Sequence, residues 1–172
     1  MAVTVVVPVY DGLDQVRDCL ASVLRHAPGT TAAFDVVVVD DATPDPRLAA
    51  ELDRLAAADD LAVPLRLLRN PENLGFVATA NRGVAEAGAD RDIVLLNADT
   101  VVTAGWLDRL VDAGADADVA TVTPLSNEAS ICTLSPRLVA AFGLDGADPR
   151  VDECAAFVAE HALGSRPEVI TG

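Results

Sequence analysis

The sequence predicts an α/β fold, a mostly parallel central sheet with helices on both faces. Three observations predict it. Short runs of Val, Ile and Leu recur along the chain, too continuous for half-exposed strands and suited to strands buried on both faces. Between these runs, apolar residues recur at helical spacing. Strand and helix patterns alternate from the first residues onward, which is the order that parallel strands joined by helical crossovers require.

The elements follow in order. Val3 to Val9 is a β-branched run that closes on Pro8, Tyr10, Asp11 and Gly12, a strand followed by a turn. Leu13, Val16, Leu20, Val23 and Leu24 give a helix one apolar side. Phe34 to Val39 is a second strand, stopped by Asp40 and Asp41. Ala42 to Pro46 is a loop, and Pro46 suits the first turn of a helix carrying Leu48, Leu52 and Leu55. Leu65 to Leu68 is a third strand, ended by Arg69, Asn70 and Pro71. A turn with Asn73 and Gly75 leads into a helix from about Phe76 to Ala87.

The fourth strand starts at Ile93. Four apolar residues run straight into Asn97, Ala98 and Asp99, and Val101 and Val102 follow. This strand is expected to be buried on both faces. An acid at its mouth is costly unless something pairs with it. A metal ion would serve, and so would a turn or capping role before the next helix, near Trp106 to Val111. Val119 to Val122 reads as a fifth strand, Arg137 to Phe142 and Val151 to Ala162 as helices, and Val169 to Thr171 as the start of another strand.

The 172 residues are read as one domain with a sizeable core. Aromatics are only 3%, so that core must be built from Val, Leu, Ala and Ile. The formal net charge is -15 and every basic residue is Arg, which argues against a nucleic-acid backbone or an anionic membrane as partner. An anionic substrate would need local compensation, such as a cation. Cys19, Cys132 and Cys154 are widely spaced and suit core thiols in a reducing compartment. The N-terminus has no basic leader, and no stretch approaches the roughly 20 apolar residues of a membrane span. A cytoplasmic location is expected, with peripheral attachment at a membrane left open.

Ligands of open α/β sheets bind outside the carboxyl ends of the strands. The first four strands deliver Tyr10 and Asp11, Asp40 and Asp41, Arg69 and Asn70, and Asn97 and Asp99 to that rim. Crowded carboxylates with one Arg suit a divalent cation and a phosphate better than a bare anion pocket. The first strand is not followed by Gly-x-Gly-x-x-Gly, and the chain has no Gly-x-x-x-x-Gly-Lys and no Gly-x-Ser-x-Gly. These absences disfavour a dinucleotide site, a P-loop and an α/β-hydrolase. His26 and His161 are isolated and read as ordinary helix residues.

These residues resemble a family. The stretches Val5-Val6-Val7-Pro8-Val9-Tyr10-Asp11-Gly12, Val37-Val38-Val39-Asp40-Asp41-Ala42-Thr43, Asn73-Leu74-Gly75-Phe76 with Asn81 and Gly83, and Leu95-Leu96-Asn97-Ala98-Asp99 are similar to the family 2 glycosyltransferases of GT-A fold. Residues 124–129, from Pro124 through Ser126, Asn127 and Glu128, resemble its rhamnosyltransferase-like subgroup. The resemblance implies a Rossmann-like nucleotide-sugar-binding domain. Pro8, Tyr10 and Asp11 would lie against the nucleoside of the donor. Asp41 would hydrogen-bond a pyrimidine ring, with Asp40 beside it as a structural or ribose-side partner. Arg69 and Asn73 would lie near the base or phosphates. Asn97-Ala98-Asp99 would be the Asp-x-Asp element, with Asp99 on a Mg²⁺ or Mn²⁺ that bridges the diphosphate. Asp11 departs from the family's usual Asn, and Asn97 from its first Asp.

The expectation is therefore a metal-dependent, inverting transfer from a UDP- or dTDP-linked sugar to a glycan, lipid-linked or protein acceptor. In the family the general base lies in an acidic motif further along, so it is expected beyond Gly172, with Glu128 a weaker candidate. The acceptor side of the domain is then expected to be missing. A binding module without transfer activity is the alternative, and a nucleotidyltransferase ranks below both because the basic, Gly-rich phosphate loop is absent.

Overall fold

The computed structural model describes residues 2–127, 132–144 and 150–162. They fall into two compact units, Met1–Val111 and Asp112–Gly172. The first unit runs β1 (Val3–Val9), α1 (Leu13–His26), a 3₁₀ turn (Ala27–Gly29), β2 (Phe34–Asp40), α2 (Pro46–Ala56), β3 (Leu65–Arg69), α3 (Phe76–Ala87), β4 (Asp92–Leu95) and α4, which begins at Trp106 and ends at Ala113. The sheet order is β3-β2-β1-β4, and every pair is parallel.

Local chemistry sets the boundaries. Gly12, at φ 89°, takes the left-handed turn that separates β1 from α1. Asp45 caps α2 by accepting from Arg47 N at 2.9 Å, and Pro46 fills the first helical position, where its missing N–H costs nothing. Gly75 precedes α3 at φ 81° and ψ 164°, a region that only glycine occupies readily.

The β-branched centre is buried on both faces. Val3, Val5, Val7 and Val9, with Val36 and Val38, pack in one cluster with Leu20 of α1, Leu48 and Leu52 of α2, and Trp106 and Leu107 of α4. The opposite face takes α3, whose Gly83 lies against Val6 and Val39. The register aligns the strand ends. Val9 pairs with Asp40, and Asp40 with Arg69. One residue on, Asp41 N donates to Val9 O at 2.7 Å and Asn70 N to Asp40 O at 2.8 Å. Tyr10, Asp41 and Asn70 thus emerge side by side.

Two strand expectations are corrected. β4 is not buried on both faces. It pairs only with β1 among the described strands, its central residues are half-buried, and Leu95 is 46% exposed. Its outer edge has no neighbour there to cover it. Leu96 adds one bond to Val6 O (2.9 Å), and the chain then turns, with Thr100 N donating to Asn97 O. Residues 119–122 form no strand. Val119 N closes a turn onto Asp116 O, and Val122 is exposed. An apolar run becomes a strand only where a neighbour takes its backbone groups, and no ladder reaches this run among the described residues. The strand expected from Val169 lies outside them.

In the second unit, Ser135 caps α5 (Pro136–Phe142), and α6 spans Val151–Ala162. Phe142 meets Phe157 at 5.7 Å, and Phe157 stacks on His161 at 4.2 Å. All three cysteines are free, with Cys19 and Cys154 buried. No helix among the described residues is long and apolar enough to cross a membrane.

Candidate functional site

Asp41 is the most tightly held group on the rim. It is 3% exposed and sits just past β2. Ala42 follows at φ 55°, a left-handed conformation that a residue with a Cβ adopts only at a cost. The turn is held by Asp40, whose Oδ1 accepts from Thr43 N at 2.8 Å. Asp41 Oδ1 accepts from Asn70 Nδ2 (2.6 Å) and Leu74 N (2.9 Å), and Oδ2 from Gly75 N (2.9 Å). Burial pushes this carboxyl up. The hydrogen bonds from Asn70, Leu74, Thr79 and Gly75 together outweigh burial and hold it below the usual carboxylate range. Asp41 is therefore an ionised, acceptor-only group near neutral pH.

Asn73 supports the same turn. Its Oδ1 accepts from Gly75 N at 2.9 Å, a local bond that Asn makes readily two residues ahead of itself. The turn brings the start of α3 against the ends of β1 and β2 and leaves a recess of about 270 Å³. Pro8, Val9 and Tyr10 line it from β1, Asp41 from β2, and Asn73, Gly75, Phe76 and Thr79 from the entry of α3. A wider recess of about 520 Å³ adjoins it. Pro8, Tyr10 and Phe76 are common to both. The wider one adds Asp11, Gly12 and Gln15 from the β1–α1 turn, and Asn97, Ala98 and Asp99 from the end of β4. It lies between β1 and β4, where the strand order reverses, the usual ligand crevice of such sheets.

The structure thus brings together Pro8, Tyr10, Asp11, Asp41, Asn73, Asn97, Ala98 and Asp99. It does not bring Asp40 or Arg69 to either recess. Asp40 is 2% exposed, with its Oδ2 accepting from Arg69 Nε at 3.0 Å. Arg69 also donates to Asp53 Oδ1 (2.9 Å) and Ala49 O (3.1 Å), so its guanidinium is turned to α2 and not to a phosphate. In an acid-rich chain the long Arg side chain finds two carboxylates and a carbonyl within reach. Glu128 lies outside the described residues.

Asp99 is exposed in the turn after β4, and no hydrogen-bond donor reaches its carboxylate among the described residues. It does not cap α4, whose first turn is closed by Trp106 N donating to Thr103 O. The turn is anchored below by Cys19 of α1, whose Sγ lies 3.5 Å from Asn97 O. Burial pushes that thiol up to about 12, against a weaker lowering by Thr100 N, with the Asp99 charge adding to the rise. Cys19 is thus a neutral packing thiol.

No group of three or more His, Cys, Asp or Glu side chains is placed to hold a metal among the described residues. Asp11 and Asp99 line the wider recess, and among the described residues no basic one lines either recess. This donor set does not fit an all-protein cage. It fits a Mg²⁺ or Mn²⁺ shared with a diphosphate, since Mg²⁺ is commonly held by one or two carboxylates with substrate phosphates and waters.

Sequence reasoning missed Thr79 and Gln15, and gave no site role to Asn70, which it had placed on the rim, or to Gly12 and Phe76, which it had met only within the family-like stretches. Thr79 carried a signal, as a polar residue on the stripe of α3 that also holds Ala80 and Gly83. Phe76 stood in the family-like stretch with Asn73 and Gly75, but nothing in the sequence marked it as a ring 54% open to solvent.

The profile of a family described as Glycosyl transferase family 2 matches residues 4–137, which include every residue lining the two recesses. No curated protein matches the chain. Among solved structures, S. aureus TarS 1–349 in complex with UDP-GlcNAc is 20% identical with a TM-score of 0.51, over 67% of this chain and 32% of that one. The mannosyltransferase PcManGT from Pyrobaculum calidifontis, in complex with GDP-Man and Mn²⁺, is 25% identical with a TM-score of 0.53, over 72% of this chain and 34% of that one. The chain spans about a third of the length of these two structures.

Proposed function

The chain belongs to the family 2 glycosyl transferases and has their Rossmann-like GT-A fold, and from that premise we propose that it moves a sugar from a nucleoside diphosphate to an acceptor hydroxyl. One observation carries the reading. Among the described residues, two adjoining recesses at the strand ends are lined by three carboxylates, Asp11, Asp41 and Asp99, and by no basic residue. The smaller suits a nucleobase. The larger suits a diphosphate and its sugar, provided a cation comes with them.

In this reading Asp41 accepts a hydrogen bond from the base. An acceptor-only group favours bases with a ring N–H on their pairing edge, namely uracil, thymine and guanine. The GDP-Man bound to the P. calidifontis enzyme supports keeping guanosine beside uridine and thymidine. Tyr10 and Phe76 line both recesses, so they are assigned to its junction, where their rings can lie against base or ribose. Asp99, with Asn97 beside it, is the residue that would hold Mg²⁺ or Mn²⁺. When bound, the cation neutralises charge on the departing diphosphate.

The transfer is read as inverting. The acceptor oxygen forms its bond to the anomeric carbon as the bond to the diphosphate oxygen breaks, and the hydroxyl proton goes to a carboxylate base on the acceptor side. None of the described residues is assigned that role. The acceptor is a glycan, a lipid-linked sugar or a protein. The rhamnosyltransferase-like subgroup rests on residues 124–129 alone.

A panel of uridine, thymidine and guanosine diphosphate sugars, screened by thermal shift with Mn²⁺, tests the reading. A ligand at about a hundred times its Kd adds about 2.7 kcal/mol to stability, so at least one donor should raise Tm clearly while the matching free sugar does not. No shift with any donor would contradict it.

A further inference from the structure

We infer that Asn70 and Arg82 form a positioning pair that holds the Asp41 carboxylate in one orientation at the smaller recess, so that base recognition depends on two residues that line neither recess. The inference rests on the reading of that recess as the base site. Asn70 is 5% exposed and follows β3 directly, in line with Asp41. Its amide is fully used. Nδ2 donates to Asp41 Oδ1 at 2.6 Å and to Thr79 Oγ1 at 2.9 Å, and Oδ1 accepts from Arg82 Nη1.

An Asn amide can sit in two orientations that differ only in which end carries oxygen. Flipped, Asn70 would set its oxygen against the Asp41 carboxylate and its NH₂ against the Arg82 guanidinium. Arg82 excludes that state, and it is itself tied down by donating to Arg69 O. With Asn70 fixed, Asp41 Oδ1 is held by Asn70 Nδ2 and Leu74 N and Oδ2 by Gly75 N, with the Thr79 hydroxyl a further donor to the carboxylate, so its orientation at the recess is set.

The charged and titratable groups around Asp41 are few. Asp40 precedes it and is paired with Arg69. Arg82 stands one hydrogen bond away on α3, and Tyr10 lines the same recess from β1. Asn70 is the second-largest influence on the Asp41 carboxyl after burial, and it acts in the opposite direction. Losing it, or losing the residue that orients it, should let burial raise the group.

The test is UDP binding by calorimetry with Mn²⁺, from neutral pH down to acid, together with UDP against CDP competition. It compares the unaltered protein with Asn70→Ala, Arg82→Met, Arg82→Lys and Asp41→Asn. Hydrogen bonds to charged groups are worth about 1.5–3 kcal/mol, so Asn70→Ala should weaken UDP binding about tenfold or more. Its loss of affinity on acidification should begin at higher pH. Arg82→Met should show the same shift to a smaller degree, and Arg82→Lys should restore it in part. Arg82 is exposed on α3, so Arg82→Met decides the matter if Asn70→Ala does not fold. If Asp41→Asn removes the preference for UDP while Arg82→Met leaves both preference and pH profile unchanged, this inference is overturned and the base-site reading stands. If Asp41→Asn keeps the full preference, both fall.

Discussion

Gly83 of α3 lies so close to Val6 of β1 that a Cβ added to it would stand 2.3 Å from the valine Cγ1 and 3.1 Å from Val39 Cγ2. Glycine inside a helix costs about 1 kcal/mol against alanine, so this position trades helix propensity for close packing. The same helix opens with Gly75 and carries Thr79, both on the smaller recess. Gly83→Ala should destabilise the protein by about 1–3 kcal/mol, as overpacking does, and weaken nucleotide binding with it. Urea unfolding checks this. A variant more stable than the original would show that α3 can lift off the sheet at no cost.

Much of the fold could be read from local chemistry. Val3–Val9, Phe76–Ala87 and the starts of α1 and α2 fall where the turn residues place them, because Gly12, Pro46 and Gly75 act through their own backbones. What sequence could not supply depended on partners. The apolar run at Ile93 is the same whether β4 is central or at an edge, and only its neighbours decide. Residues 119–122 look like a strand and find no ladder among the described residues. Arg69 is basic and stands on the rim, yet Asp53 and Ala49 lie one helix away and claim it. Asn70 was legible as a polar residue past a strand, but not as the donor that meets Asp41.

Asp108 ties α4 to the entry of β2. Its carboxylate accepts from Thr31 N and Ala32 N at 2.9–3.0 Å. Those backbone donors outweigh burial and hold it below the usual range. A depressed carboxyl adds stability above its unfolded value near 3.9 and loses it as pH falls through the folded value. Asp108→Asn should therefore cost about 1 kcal/mol at pH 7, at the low end because solvent screens the site. The gap to the original should narrow in acid. Chemical unfolding at two pH values measures it.

Asp99 is the proposed cation residue. UDP should bind much more tightly with Mn²⁺ or Mg²⁺ than with a chelator present. Asp99→Ala should remove most of that difference and leave the fold intact, since the side chain is exposed and has no hydrogen-bond donor on it among the described residues. Calorimetry giving equal affinity with and without metal would sink the assignment.

Phe76 is 54% exposed and Tyr10 44%, an unfavourable arrangement for large rings unless something covers them. If the base or ribose lies against them, Phe76→Ala and Tyr10→Ala should each weaken nucleotide binding by about 1–3 kcal/mol, as loss of stacking on a base does. Unfolding midpoints should barely move. Unchanged affinity in both variants would remove the rings from the site.

The central claim is that Asp41 reads the base, and direct competition among nucleoside diphosphates tests it. A site built for a hydrogen bond rejects ligands that lack the donor, because its own buried group is then left unpaired. With Mn²⁺ present, UDP, dTDP or GDP should displace a bound fluorescent nucleotide at lower concentration than CDP or ADP, and Asp41→Asn should erase most of that order. Equal displacement by all five nucleotides, or an order that survives Asp41→Asn, would contradict the account.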